Sequence, residues 1–231
     1  MNSPSYSEWF RQVSGFAQAH DWQKTLGDID QCGNRLIRIP TGYGKTIGVL
    51  SSWAFHRLIR ADDRWPRRLV WCLPTRVLVE QTESAARSLV EKLKCHWDEK
   101  LPRKSGTVGV HQLMGGSNPS EWHLYPEECA ILIGTQDMLL SRALNRGYAA
   151  PRARWPMEFG LLNQDCLWVM DEVQLMDVGL ATSAQLQAFR DDYAGKSLRP
   201  CKTWWMSATL QPDWLVSVDT MTRLLPDMPT H

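Results

Sequence analysis

Residues 39–46 read IPTGYGKT, a short segment in which two glycines are followed by a lysine and a threonine. Gly42 and Gly44 can adopt backbone angles that other residues resist, and their N–H groups can face phosphate oxygens beside a helix start. Lys45 would then reach the β- and γ-phosphates, and Thr46 would bind Mg²⁺. The segment predicts an ATP-binding loop formed by Thr41, Gly42, Tyr43, Gly44, Lys45 and Thr46.

This loop departs from the general pattern GxxxxGK[ST], which requires a glycine where the chain has Ile39. The shorter pattern TGxGKT is complete. A glycine-rich turn without a ligand is the alternative interpretation. The apolar run 35–39 before the loop and the helix-like stretch 45–60 after it favour a phosphate loop, because such loops join a strand to a helix.

A second candidate follows the apolar run CLWVM, where the chain reads DEVQLMD. Asp171 would hold Mg²⁺, usually through water, at the carboxyl end of a strand. Glu172 would orient and polarise the attacking water. An acidic pair at this place could also simply cap a helix. Together with the phosphate loop it predicts a catalytic set of Lys45, Asp171 and Glu172, with Thr46 and Asp171 as the magnesium ligands.

These side chains must be positioned by a common frame. Helix-like segments separate apolar runs that we predict to be strands, at 35–39, 68–73, 107–113, 129–134, 166–170 and 202–208. Strands that alternate with helices indicate a parallel sheet, and continuously apolar strands indicate that both faces are covered. We therefore predict an α/β fold in which the loop around Lys45 and the pair 171–172 converge at one rim of the sheet. The stretch 114–128 is predicted to be a surface loop.

Bulk composition narrows the class of protein. The 231 residues carry a net charge of only +1, so any nucleic-acid contact must come from a local patch. The six cysteines form no CxxC pair, which disfavours a zinc ribbon. The first residues have no signal-peptide character and no segment resembles a membrane span. We expect a cytoplasmic protein without a membrane partner.

Four further segments follow the predicted strands, namely LPTRVLVEQT (73–82), MGG (114–116), GTQDMLLSR (134–142) and SATL (207–210). Their order over residues 20 to 211 resembles the superfamily 2 helicases of the DExD/H type, in which TGxGKT also occurs. The resemblance implies a RecA-like P-loop domain, the first lobe of a two-lobe helicase. A P-loop kinase or nucleotide-metabolism enzyme remains the alternative from another class.

The resemblance assigns roles to individual residues. Backbone groups, short hydroxyls and one guanidinium would contact the nucleic-acid backbone without reading its sequence, at Pro74, Thr75, Arg76, Gly115, Gly116 and Thr135. An ordinary helix start at Arg76 and an ordinary turn at Gly115–Gly116 are the alternatives. Gln23 matches the glutamine that reads adenine, because a carboxamide both donates and accepts.

The resemblance also implies residues that couple hydrolysis to strand movement, namely Gln174, Ser207, Ala208 and Thr209. Ser207 and Thr209 are expected to form hydrogen bonds toward residues 171–174. The family usually has Asp or His where this chain has Gln174.

Residues 134–148 and 171–190 are more closely similar to the CRISPR type I effector helicase, the helicase–nuclease recruited by Cascade. This implies 3′-to-5′ movement on single-stranded DNA. The family's nuclease is an HD domain, but His20-Asp21 lies immediately before the WQ of the adenine motif and the other histidines lack metal spacing. Any HD nuclease is therefore expected outside this chain.

We predict three regions: a helical segment 1–22, the helicase lobe 23–211 and the start of a linker, 212–231, to a second RecA-like lobe. Because arginines of the second lobe stabilise the transferred phosphoryl group, the isolated lobe is expected to be nearly inactive. A DExD/H RNA helicase lobe and a nucleic-acid-binding module without ATPase activity remain alternatives.

One basic stretch has two interpretations. Arg142, Arg146, Arg152 and Arg154 are interleaved with aromatic residues and no acidic residue lies among them. They could bind a single strand, with charges for phosphates and aromatic faces for bases. They could equally form a solvated loop.

Overall fold

The computed structural model describes residues 4–96, 106–115, 121–209 and 211–216. One sheet of six strands forms its centre, in the spatial order β1-β6-β5-β2-β4-β3. All neighbouring strands are parallel. The strands are β1 (Arg35–Arg38), β2 (Arg68–Leu73), β3 (Gly109–Leu113), β4 (Ala130–Thr135), β5 (Cys166–Asp171) and β6 (Cys201–Ser207).

Helices cover both faces of this sheet. They are α1 (Tyr6–Ser14), α2 (Asp21–Gly27), α3 (Lys45–Ala54), α4 (Arg76–Lys92), α5 (Gln136–Ala143), α6 (Trp155–Asn163) and α7 (Val178–Asp192). Side chains of α1 to α4 form one hydrophobic core and those of α5 to α7 form the other. Trp71 of β2 belongs to the first core and its neighbour Cys72 to the second, as alternation along a strand requires. The predicted α/β fold, with a parallel sheet covered on both faces, is confirmed.

The predicted elements and the observed ones differ mainly at their ends. The predicted strand 107–113 begins only at Gly109. The predicted helix 45–60 is α-helical through Ala54 and continues as one π-helical turn, Phe55–Ile59. Sequence reasoning missed α6, although Pro156 in its first turn is a common helix-start signal. No helix in the described ranges is long and apolar enough to cross a membrane.

The N-terminal helix is fastened to the same core. Ser5 and Glu8 form a capping box that starts α1. The Tyr6 hydroxyl lies 2.9 Å from Ser51 Oγ on α3. A Cβ atom at Gly27 would lie 2.0 Å from the Tyr6 ring, so the ring occupies the space that a side chain there would need. These contacts fix α2 against α3, and α2 carries Gln23.

The strand connections place every candidate segment at one edge. In a parallel sheet the carboxyl ends of all strands meet at the same rim. The loop after β1 leads into α3, and the acidic pair ends β5. Only β6, which ends at Ser207, separates β1 from β5. The fold therefore gathers the loop, the carboxylates and the SATL segment at this rim.

Candidate nucleotide site and nucleic-acid cleft

The loop that precedes α3 has the backbone shape of an anion cradle. Gly42 and Gly44 have φ angles of 87° and 69°, in the left-handed region that favours glycine. Helix α3 begins directly after Gly44, and the first N–H groups of a helix lack partners within it. Thr41 and Tyr43 are exposed beside them. The loop thus presents backbone N–H donors and a helix N-terminus to solvent, which suits phosphate.

Gln23 holds this loop in place. Its Nε2 donates to the carbonyl oxygen of Gly44 at 3.1 Å, and its Oε1 accepts from the backbone N–H of His20 at 2.9 Å. The side chain is only 2% exposed. The carboxamide still has a second N–H and a second lone pair, which are the groups that an adenine edge would use. Gln23 is therefore first a positioning residue for the phosphate loop.

Lys45 and Glu172 meet directly, although 127 positions separate them in sequence. Lys45 Nζ donates to Glu172 Oε1 at 2.6 Å, and the two side chains are 8% and 18% exposed. The neighbouring Asp171 is 5% exposed. Its Oδ2 accepts from Trp71 Nε1 at 3.2 Å, and its Oδ1 accepts from the backbone N–H of Glu172 at 2.9 Å. The predicted catalytic residues thus lie together.

The two carboxyl groups have opposite proton affinities. Burial raises the pKa of Asp171 to about 6, and the charge of Glu172 adds to this although Lys45 and Trp71 oppose it. Burial also acts to raise the pKa of Glu172, but the hydrogen bonds from Lys45 and Gln174 outweigh it, and the pKa is lowered. Glu172 is therefore a carboxylate at neutral pH, and Asp171 has a buried carboxyl whose ionised form a cation would stabilise.

The oxygen donors at this rim fit a magnesium nucleotide. The hydroxyl of Thr46, in the first turn of α3, and the carboxylate of Asp171 are hard oxygen ligands of the kind Mg²⁺ prefers. When bound, the ion would neutralise phosphate oxygens. Lys45 and the N–H groups of the loop would supply the remaining positive charge for a triphosphate.

A hydrogen-bonded relay connects the acidic pair to the SATL segment. Gln174 Nε2 donates to Glu172 Oε2 at 2.6 Å, and Ser207 Oγ donates to Gln174 Oε1 at 2.6 Å. Thr209 donates its backbone N–H to Ser207 Oγ at 3.1 Å, with Ala208 between them. Among the described residues, Ser207 rather than Thr209 forms the bond to residues 171–174. Gln174 serves both neighbours because a carboxamide donates and accepts at once.

The backbone of Glu172 is unusual. Its φ and ψ angles of 55° and 45° lie in the left-handed region, which costs energy for a residue with a Cβ atom. This conformation turns the chain immediately after β5, where the Glu172 side chain meets both Lys45 and Gln174. Such strain is found mostly where the surrounding structure enforces it, often at functional sites.

A cleft of about 800 Å³ lies at the same rim on the side of α4, α5 and α7. Four residues predicted to contact nucleic acid line it: Pro74, Arg76, Gly115 and Thr135. A Cβ atom at Gly115 would lie 3.1 Å from Arg76 Nη2, so the guanidinium lies against this glycine. Thr75 is the residue before α4, and Gly116 lies outside the described residues. The separate motifs thus form one continuous surface.

The basic stretch after α5 divides into two parts. Arg142 and Arg154 turn inward and both pair with the fully buried Glu158, at 2.9 Å and 3.1 Å. Arg146 and Tyr148 line the cleft. Neither interpretation of this stretch from sequence holds for all of its arginines. The deciding residue, Glu158, lies on α6, the helix that sequence reasoning missed.

Comparison with known proteins identifies the family. The family model of the DEAD/DEAH box helicases matches residues 18–217. The chain belongs to the DEAD/DEAH box helicase family. A search of curated protein sequences found no match. The match confirms, at the level of the family, the resemblance found from the motifs. Helicases of this family use ATP with a divalent metal ion.

Solved helicase structures share the fold. The chain is similar to the DUF1998 helicase MrfA (16% identity, TM-score 0.63, covering 93% of this chain and 31% of that one). It is also similar to the helicase domain of Pyrococcus furiosus Hef (17% identity, TM-score 0.56, covering 96% of this chain and 39% of that one). A third similar structure is Mss116p bound to single-stranded RNA and AMP-PNP (18% identity, TM-score 0.57, covering 89% of this chain and 39% of that one). The chain spans about a third of each of these proteins, and the predicted RecA-like helicase fold is confirmed.

Proposed function

We propose that this chain is the ATP-binding lobe of a helicase that moves along single-stranded nucleic acid. The observation that carries the proposal is the relay from Lys45 through Glu172 and Gln174 to Ser207, with its three hydrogen bonds of 2.6 Å. The relay joins the phosphate loop to the SATL segment. A nucleotide that displaces Glu172 from Lys45 alters the first bond of this relay, which offers a physical route from nucleotide to strand.

The residues have distinct roles in this proposal. The N–H groups of the loop and Lys45 bind the triphosphate, and Gln23 orders the loop and recognises adenine. Glu172, held as a carboxylate, orients the attacking water once Lys45 has turned to phosphate. The lobe alone hydrolyses ATP slowly, because related ATPases gain about 10³- to 10⁵-fold in rate from an arginine that another domain or protein can supply. We assign that arginine to a second RecA-like lobe, reached through a linker that starts within 212–231.

For the substrate, we propose single-stranded DNA, taken up by the helicase of a CRISPR type I effector and moved 3′ to 5′. Support comes from the segments 134–148 and 171–190, which resemble that helicase. Their helices α5 and α7 contact each other, and a Cβ atom at Gly179 would lie 2.3 Å from Gln136 Oε1. Both segments contribute to the wall of the cleft. A Cascade-type complex would deliver the strand, and an HD nuclease would act from outside this chain.

The test is oligonucleotide binding by fluorescence anisotropy, at two salt concentrations, for the wild type and Arg76→Ala. Arg76→Ala should weaken binding and lower the salt slope by about one, because one phosphate contact is lost. Arg11→Ala, an exposed arginine on α1, is the matched control and should bind like the wild type. Competition between DNA and RNA of the same sequence decides the substrate. Salt-independent binding, or equal loss in both variants, would refute a phosphate-binding cleft.

Recruitment is tested separately. The chain should bind a Cascade complex that has opened its target more tightly than it binds the same complex without DNA. Binding that ignores the opened target would refute this recruitment, and binding that favours RNA would support a DExD/H RNA helicase lobe.

A further inference from the structure

We propose that Tyr148 is a base-stacking residue in the wall of the cleft, and that Arg146 beside it neutralises a phosphate of the same strand. The inference rests on the proposed function and deepens it. The residues assigned to nucleic-acid binding from the family motifs are predicted to contact only the sugar–phosphate backbone. Tyr148 would add a contact to a base, and thereby hold the strand in a defined position without reading its sequence.

The Tyr148 side chain is available for a ligand. It is 62% exposed and lines the cleft together with Arg146. Among the described residues, its ring contacts no other aromatic ring and its hydroxyl forms no hydrogen bond. Leu144 and Val178, both exposed, also line the cleft and give it an apolar section. An exposed aromatic ring with apolar neighbours and an adjacent cation is the combination that binds single strands.

The backbone that carries Tyr148 is held by hydrogen bonds to α5. The backbone N–H of Tyr148 donates to Ser141 Oγ on α5 at 3.2 Å, and those of Arg146 and Gly147 donate to the Ser141 carbonyl at 2.8 and 3.2 Å. Gly147 has a φ angle of 53°, and a Cβ atom there would lie 2.0 Å from the Trp155 ring. Little backbone ordering entropy therefore remains to be lost when a base stacks on Tyr148.

The cleft is lined by two arginines, Arg76 and Arg146, and one acidic residue, Asp137. Arg142 and Arg154 share the single carboxylate of Glu158 beneath the loop, while Arg146 is exposed on the cleft. Arg76, which lies against Gly115, lines the same cleft. A single strand between them could place phosphates near Arg76 and Arg146 and one base on Tyr148.

The experiment compares two oligonucleotides of equal length, oligo-dT and the same backbone with abasic sites, by anisotropy at two salt concentrations. Base–aromatic stacking is worth about 1–3 kcal/mol per base, so Tyr148→Ala should weaken oligo-dT binding by about 5- to 150-fold. Binding of the abasic strand should not change. Tyr148→Phe should retain most of the oligo-dT affinity, because the ring rather than the hydroxyl is used.

Controls separate this inference from the proposed function. Tyr193→Ala removes a tyrosine of similar exposure (60%) outside the cleft and should bind both strands like the wild type. Arg76→Ala should weaken the binding of both strands. If the wild type binds both strands equally and Tyr148→Ala changes neither, stacking is refuted while the proposed function stands. If the wild type binds neither strand in a salt-dependent way, the proposed function itself fails.

Discussion

Glu172→Gln tests the contact between the phosphate loop and the acidic pair. The Lys45–Glu172 pair is 2.6 Å long and mostly buried. Coulomb's law gives a gross attraction of about 6 kcal/mol at this distance for an effective dielectric constant of about 20. Lost hydration offsets most of it, and a glutamine keeps a neutral hydrogen bond. We therefore expect the free energy of unfolding to be about 1–2 kcal/mol lower in the variant.

Two opposite effects follow from this loss. Without nucleotide, the melting temperature should fall by about 2–8 °C, since each kcal/mol corresponds to about 2–4 °C in a protein of this size. With nucleotide, affinity for the magnesium complex of a non-hydrolysable ATP analogue should rise by about 5- to 30-fold. The reason is that phosphate no longer competes with a carboxylate for Lys45.

Calorimetric titration and thermal unfolding measure these effects on the same samples. Glu80→Gln, an exposed glutamate on α4, is the matched control and should change neither quantity. A Glu172→Gln variant with unchanged melting temperature and unchanged or weaker nucleotide binding would show that this ion pair does not restrain the empty site.

Three further predictions concern the relay, a buried charge cluster and a buried histidine. Gln174→Ala removes the bonds to Glu172 and Ser207, so the factor by which oligonucleotide changes nucleotide affinity should move toward one in linked titrations. Glu158→Ala removes the carboxylate that pairs with the buried Arg142, so the free energy of chemical unfolding should fall by about 3–5 kcal/mol. A fall below 1 kcal/mol would contradict a buried pair. Burial lowers the pKa of His56 to about 4, so the unfolded chain binds its proton first as the pH falls. Between pH 7 and pH 5 the wild type should therefore lose about 2 kcal/mol more unfolding free energy than His56→Gln, as measured by urea unfolding, because Asp171 and the other shifted groups are common to both proteins.

The strands were predictable because their residues leave few alternatives. A run such as RLVWCL (68–73) is buried on both faces, which excludes the alternating pattern of a half-exposed strand. Parallel order follows from the helices between the runs, and it brings the strand ends to one rim. The meeting of Lys45 with Glu172 could therefore be predicted across 127 positions without knowing any contact in between.

The details of the site depended on packing that no local pattern records. Whether an arginine in 142–154 faces solvent or core is decided by Glu158, which lies on another helix. Gln23 was assigned to adenine, but that assignment gave no indication that its amide also holds Gly44 and His20. Residue preferences likewise did not predict the π-helical turn at 55–59 inside the predicted helix 45–60.

The central claim is that the loop around Lys45 and the pair Asp171–Glu172 form one site for a magnesium nucleotide. Calorimetry of ATP binding with and without Mg²⁺ tests it most directly, using the wild type, Lys45→Ala and Asp171→Asn. We predict that Mg²⁺ strengthens binding to the wild type, that Asp171→Asn removes this dependence, and that Lys45→Ala loses binding under both conditions. Equal, magnesium-dependent binding by all three proteins would contradict the claim.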